Sequence, residues 1–330
     1  MNNSEGNTGF DIFGDIHGCH DALVRLLQRL GYREQQGAYA HPQRIAIFLG
    51  DLIDRGPKIR ETLHLVRAME QAGHARVIVG NHEFNAIWMK QELDKYLRSG
   101  DQDALHPRMY KLMQATLEQF RDYPDEWQEF TQWFEGLALF WEGEGFRAVH
   151  ACWDAELIEQ YQQRYHTSYL TEEFLAAARQ RDSLEHQVVD RLTRGTSMPL
   201  PEGLKVKSKD GFIRRFFRTK FWSESPKTYG DVVFQPDPLP YDLAEHPIAV
   251  DEKSSLVHYD PNDPPVFFGH YWLKGRPKPL LHNIACLDYS AVNFGRLTAY
   301  CFDGETSLKE DNFKWVYVDP QNNEAELLDL

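Results

Sequence analysis

Two hydrophobic periods alternate along the first ninety residues. Phe10–Phe13 is a short apolar run that predicts a strand, and Leu23, Leu26, Leu27 and Leu30 then recur at helical spacing with Gly31 as a stop. Arg44–Leu49 predicts a buried strand. Ile59, Leu63, Val66 and Met69 form the stripe of a second helix, with Pro57 in its first turn and Gly73 beyond its end. The apolar run Ala75–Val79 closes the series, with Arg76–Val79 as its strand. Strand–turn–helix repetition of this kind predicts parallel strands joined by right-handed crossovers.

Beyond Glu83 the pattern turns helical. Met109, Leu112, Met113, Leu117 and Phe120 make one stripe, and Trp127, Phe130 and Phe134 make another after Pro124. These aromatics read as core. Leu137–Trp141 and Phe146–Val149 flank the turn Gly143-Glu144-Gly145 and predict a hairpin. From Trp153 to about Pro261 no sheet pattern is visible. Helical spacing appears near 155–165, 171–179 and 183–192, followed by a basic, aromatic stretch, Lys205–Trp222, and a Pro- and Asp-rich one, Gln235–Pro247. Strands resume at Pro265–Phe268, Leu281–Leu287, Gly295–Cys301 and Phe313–Val318. The expected organisation is a tail over residues 1–9 and a single domain over 10–330. That domain carries a helical insertion at about 84–135 and a cap insertion at about 153–262, lying over the carboxyl edge of the sheet.

Composition narrows the classes. A chain of 330 residues with ordinary apolar content can bury a large core. Its formal net charge of −14 argues against charge-driven attraction to nucleic acid or an anionic membrane. No apolar run reaches the roughly 20 residues that span a bilayer, and Met1–Thr8 is polar, without an apolar secretory core. Cys19, Cys152, Cys286 and Cys301 show no CxxC spacing, which predicts reduced thiols and a cytoplasmic location. Cys152 lies two residues from His150 and reads as a small buried residue.

The chemistry gathers in three Gly-led turns, each just after a predicted strand: Gly14-Asp15-Ile16-His17-Gly18, Gly50-Asp51-Leu52-Ile53-Asp54-Arg55-Gly56 and Gly80-Asn81-His82-Glu83. Ligands in parallel sheets collect beyond the carboxyl ends of the strands, where these turns fall. Asp15 and His17 share one side of an extended segment and can chelate one ion, while Asp51 is suited to bridge to a second. Asn81 offers a carbonyl oxygen, and His150 and His270, each at a later strand end, offer imidazoles. This mixture suits Mn²⁺ first, or Fe or Zn²⁺, and is too rich in nitrogen for calcium. Two divalent ions per chain could clamp a phosphoryl group. Arg55 can grip its oxygens, His82 can supply a proton to the leaving oxygen, and Asp54 can hold His82 in one tautomer.

The three blocks resemble the signature blocks of the calcineurin-like metallophosphoesterases, in the version carried by the PPP phosphatases, with Asp-Arg-Gly in the second and Asn-His-Glu in the third. The resemblance implies an α/β fold, a four-layer α/β/β/α sandwich of two mixed sheets with a helical cap insertion and a dinuclear site at the sheets' edges. By position it implies Asp15, His17 and Asp51 at a first ion and Asp51, Asn81, His150 and His270 at a second. Arg55 and Asn81 would bind phosphate, with His82 and Asp54 as proton donor and partner. Gly269-His270-Tyr271-Trp272 replaces the Gly-His-x-His of many relatives, which opens a position at the first ion. Leu287-Asp288-Tyr289-Ser290 resembles an altered closing strand. Arg218-Thr219-Lys220-Phe221-Trp222 resembles a stretch that brings a second arginine, Arg218, to the phosphate.

The implied activity is hydrolysis of phosphomonoesters by a hydroxide shared between the ions. A serine/threonine protein phosphatase, of dual or tyrosine specificity as variants, comes first. A dinucleoside polyphosphate hydrolase resembling the diadenosine tetraphosphatases is the enzymatic alternative, and a catalytically silent phosphate-binding scaffold the other. The expected partners are a phosphorylated protein or a small phosphoester, with no membrane and no nucleic acid.

Overall fold

A computed structural model describes residues 9–319 apart from 201–205, 208–212, 215, 236–238, 240, 255 and 294. Residues 1–8 of the predicted tail 1–9 lie outside the described residues, as do Lys205, Lys209 and Arg215 of the basic stretch, while Gly9 is the first residue of a strand and belongs to the domain.

Two mixed sheets face each other. The first places Gly9–Phe13 at its centre, parallel to Arg44–Phe48 and antiparallel to Arg296–Phe302. Ala75–Val77 extends it in parallel on one side, while Asp288–Tyr289 and Phe313–Tyr317 both pair antiparallel with Arg296–Phe302. The second sheet runs Ile284–Cys286, Val266–Phe268 and Phe146–Val149 in parallel, with Phe140–Gly143 antiparallel at the end.

Side-chain alternation assigns each face of these strands. Ile47 and Leu49 point with Ile12, Phe267, Ala285 and Tyr300 into the core between the sheets. Phe13, Ala46 and Phe48 point the other way, into the core shared with the helices. His20–Arg29 and Ile59–Gln71 cover the first sheet with the predicted stripes, Leu23, Leu26 and Leu27 on one and Leu63, Val66 and Met69 on the other, all buried. Ala155–Tyr165 and Leu184–Arg194 lie beside the second sheet, where the N–H of Ala151 donates to the Leu192 carbonyl. This is the expected α/β/β/α sandwich.

Three local differences have physical causes. Leu137–Leu139 does not join the hairpin with Phe146–Val149. It bridges in parallel to Ile78, with Val79 N–H donating to the Ala138 carbonyl at 2.8 Å, and the strand of the second sheet begins only at Phe140. One apolar run thus serves both sheets. The third block is helical earlier than expected, because Asn81–Trp88 starts its helix at the ligand-bearing residues themselves. The region from Trp153 to Pro261 is also not helical throughout. Thr196–Pro199, Phe216–Thr219 and Val233–Gln235 form a small antiparallel sheet, with Met198, Phe217, Tyr229 and Val232 in a core of their own. Strands this short carry too few positions to show a period.

Candidate metal centre

The three Gly-led turns converge at one end of the first sheet, and the strand ends at His150 and His270 meet them from the second. His17, Asp51, His82, His150 and His270 are all buried. The ligand atoms of His17, Asp51 and His82 lie within 4.8 Å of one another, as do those of Asp51, His150 and His270. Asp51 is common to both groups. Its Oδ2 is 3.5 Å from His17 Nε2 and 3.9 Å from His82 Nε2, and its Oδ1 is 3.4 Å from His150 Nε2. Asn81 Oδ1 lies 3.2 Å from the same nitrogen of His150.

Hydrogen bonds from the protein fix which nitrogen each ring presents. His17 Nδ1–H donates to the Ile53 carbonyl and His150 Nδ1–H to the Leu49 carbonyl, each at 2.7 Å, so both turn Nε2 lone pairs toward Asp51. His270 Nε2 is buried with no hydrogen-bond partner among the described residues. Such an orphan nitrogen costs free energy unless something ligates it. Burial, followed by the Arg218 charge, holds the His270 pKa well below its ordinary value, and burial likewise lowers His17 and His150. Neutral imidazoles are what a cation requires. Carboxylates without a sufficient cation sit beside them. Burial, then Asp288 and Asp51, push Asp15 well up, and burial first of all raises Asp288 to about 6. One Asp288 oxygen accepts from Ser290 N–H at 2.9 Å, and the other has no partner among the described residues. Donor set, tautomers and unbalanced acid all fit a pair of divalent ions.

Asp15 is held differently from the sequence expectation. His17 has φ 44°, so the pair lies in a left-handed turn and not in an extended segment. Both Asp15 oxygens accept the backbone N–H of His270, at 3.1 and 3.2 Å. Asp51, Asp54, Arg55 and His270 also have φ between 52° and 68°. For residues with a Cβ this conformation costs about 1–3 kcal/mol each and persists only where the surroundings impose it. Close approach explains two of the glycines. A Cβ on Gly80, whose φ is an ordinary −88°, would meet Asp51 N and Oδ1 at 2.3 Å, and one on Gly56 would meet the His17 carbonyl oxygen at 1.8 Å.

His82 is built as a dyad with Asp54. His82 Nδ1–H donates to Asp54 Oδ2 at 2.5 Å, and Thr116 Oγ1–H donates to Asp54 Oδ1 at 2.5 Å while accepting from Asp54 N–H at 3.0 Å. Burial opposes the charged imidazole, but Asp51 and Asp54 outweigh it and raise the His82 pKa. Arg55 is exposed and reaches inward, its Nη1 donating to His17 Nε2 at 2.8 Å and its Nη2 to His82 Nε2 at 3.0 Å. Arg218 donates to the His270 carbonyl at 3.2 Å. Its strand has a register shift between Arg218 and Thr219.

Three residues beyond the predicted set belong to this arrangement. Glu83 accepts the backbone N–H groups of Gly80, Asp51, Leu52 and Ile53. Thr116 supports Asp54, and its signal was present as a hydroxyl on the stripe of Met113, Leu117 and Phe120. Arg194 packs over Trp88 at 5.4 Å and donates to Asn85 Oδ1 on the helix that carries Asn81 and His82. Cys152 is fully buried, and burial pushes its thiol up, as expected of a packing residue.

A family model described as calcineurin-like phosphoesterase matches residues 9–271. The chain belongs to that family. It is 47% identical over 74 residues to a protein of Halalkalibacterium halodurans named bis(5'-nucleosyl)-tetraphosphatase PrpE, a stretch that is 22% of this chain and 30% of that one. Over 98 residues it is 37% identical to the Bacillus subtilis protein of the same name, covering 29% and 37%. The chain spans only about a third of the length of these relatives. A solved protein serine/threonine phosphatase from Saccharomyces cerevisiae, described as similar to human phosphatase PP5, superposes with TM-score 0.50 at 13% identity over 96% of this chain and 81% of that one. That likeness is one of fold. No helix among the described residues is long and apolar enough to cross a membrane.

Proposed function

We propose that the chain is a dinuclear metal-dependent phosphohydrolase, and that its substrate is a dinucleoside polyphosphate, cleaved at a P–O–P anhydride bond. The observation that carries the reaction class is the sharing of Asp51 between two imidazole groups, His17 with His82 and His150 with His270. In this reading Asp15, His17 and Asp51 hold one ion, and Asp51, Asn81, His150 and His270 the other. Divalent ions there would supply Lewis acidity, acidifying water and neutralising phosphate charge.

The chain's own groups have distinct tasks. Arg55 exchanges the two ring nitrogens it now donates to for two phosphate oxygens, a bidentate match that suits its fork. His82 can carry a proton on Nε2 once Arg55 has left that atom, and gives it to a departing alkoxide oxygen where the leaving group needs one; a phosphate released from an anhydride departs without it. Asp54 keeps Nδ1–H engaged and the ring oriented. Arg218 adds a second positive charge beside the phosphate. The region 153–262 acts as a cap, and its support is the small sheet that carries Arg218 to His270.

The relatives support the choice of substrate, since those similar in sequence are named tetraphosphatases. The protein phosphatase reading, first on sequence alone, takes second place because its support is similarity of motif and fold. A silent scaffold has no support from a set of groups this complete. The test is turnover of diadenosine tetraphosphate, a phosphoserine peptide and p-nitrophenyl phosphate by Mn²⁺-loaded protein. The dinucleotide should be preferred in kcat/KM. Preference for the peptide would restore the protein phosphatase reading, and no turnover with Mn²⁺, Fe²⁺ or Zn²⁺ would remove the hydrolase reading.

A further inference from the structure

Trp272 lies two residues beyond His270, and no metal chemistry is open to an indole. The Arg55 guanidinium carbon lies 4.8 Å from the centroid of its ring. Trp272 is 40% exposed, among the few large apolar side chains so placed among the described residues. Its presentation is rigid. Tyr271, the residue before it, is fully buried among Phe221, Trp222, Phe234 and Phe268, with its hydroxyl donating to the Thr219 carbonyl at 3.1 Å. Leu273, the residue after it, donates its N–H to the Asp288 carbonyl at 3.0 Å. Between two anchored neighbours the backbone of Trp272 is held in place, and its indole lies under the Arg55 guanidinium.

Arg55 needs such a support. It is an exposed, long side chain on a left-handed turn residue, and its hydrogen-bond partners in the site are two histidines. Freed from those rings, an unsupported guanidinium would sample many rotamers, with a matching entropy cost for each phosphate gripped. A guanidinium stacked on an indole keeps its fork in one plane while its N–H groups stay available.

We propose that Trp272 is a positioning residue, which holds the Arg55 guanidinium over the centre so that its fork is pre-set for the phosphoryl group. The inference rests on reading Arg55 as the phosphate grip. It does not make Trp272 a contact of the substrate, and the loss on its removal should therefore not depend on whether a nucleobase is present.

The experiment is a double-mutant cycle with Arg55→Ala, Trp272→Ala and the pair, in Mn²⁺-loaded protein, with β-glycerophosphate and diadenosine tetraphosphate as substrates and inorganic phosphate as inhibitor. Trp272→Ala should weaken phosphate inhibition and raise KM about fivefold, which is about 1 kcal/mol, with a smaller change in kcat and no change in metal content. The loss should be equal for both substrates and absent in the Arg55→Ala background. Trp272→Phe should recover most of it, and Trp272→Leu, which keeps apolar bulk without a π face, should not. An additive double mutant, or full recovery by Leu, overturns the proposal. A loss confined to the dinucleotide also overturns it and makes Trp272 a base platform. Normal turnover with an unaffected Arg55→Ala variant would instead strike at the grip assigned to Arg55.

Discussion

The carboxylate of Glu83 accepts the backbone N–H of Asp51 at 2.9 Å, and its other oxygen takes those of Leu52 and Ile53 at 2.8 and 3.2 Å. One side chain at the start of a helix thus holds the entire turn that carries the shared ligand. Asp51 has φ 52°, and this bonding helps to hold it there. Burial and the neighbouring Asp51 charge raise Glu83 to about 7.

Glu83→Gln keeps the shape and replaces one acceptor oxygen with an N–H₂ group that faces backbone donors. Stability should fall by about 2–4 kcal/mol, since at least one buried N–H loses its partner and a charge-assisted bond is lost. Metal affinity should fall by about 10–100-fold, as for other groups that orient a ligand. Urea unfolding and metal titration read the two effects, and an unchanged metal affinity would free Asp51 of this support.

Asp51→Asn acts on the ligand itself. The amide is a weaker donor, and one of its two positions becomes N–H₂, so both ions should bind more weakly. A ligand shared by two ions should cost at least the upper end of what an orienting group costs, so turnover should fall on the order of a hundredfold or more. Retention of two ions per chain in metal analysis would contradict the shared role.

The sandwich was legible because strands buried on both faces and amphipathic helices leave strong periods, as at Ile45–Leu49 and Leu23–Leu30. Motif spacing pointed to Asp15, His17, Asp51, Asn81, His150 and His270, and the structure brings ligand atoms of His17, His150 and His270 close to Asp51. What escaped was support from a distance. Nothing near Asp54 in the chain points to Thr116, sixty-two residues later, although a hydroxyl on an apolar helix stripe is a signal that something buried accepts from it. The small sheet around Phe216–Thr219 escaped because three- and four-residue strands show no period. Left-handed turns at His17 and Asp51 were invisible because the fold, and not the residue type, dictates them.

Thr116→Val removes that hydroxyl with little change of volume. Asp54 then loses a donor to Oδ1 and an acceptor for its N–H, so stability should drop by about 1–3 kcal/mol. Turnover should fall with metal content unchanged, and Thr116→Ser should restore both. Restored stability without restored turnover would mean that Thr116 packs the helix and does not serve the dyad.

The proton on His82 has a pH signature. Its ordinary pKa is 6.5; burial works against the cation, but Asp51 and Asp54 raise the folded value above that. A group raised in this way contributes stability fully below 6.5 and loses it as pH rises through the folded pKa. A proton donor must also hold its proton, so kcat for a poor leaving group should decline on the alkaline side with a midpoint above 6.5. Asp54→Asn removes one of the two charges that raise it, and the midpoint should move to lower pH. His82→Ala should abolish this limb and lower turnover by about 10²–10⁴-fold for an alkyl phosphate. The loss should be much smaller for p-nitrophenyl phosphate or a polyphosphate, whose leaving groups depart without a proton. Equal losses across these substrates, or a midpoint unmoved in Asp54→Asn, would take the proton transfer away from this dyad.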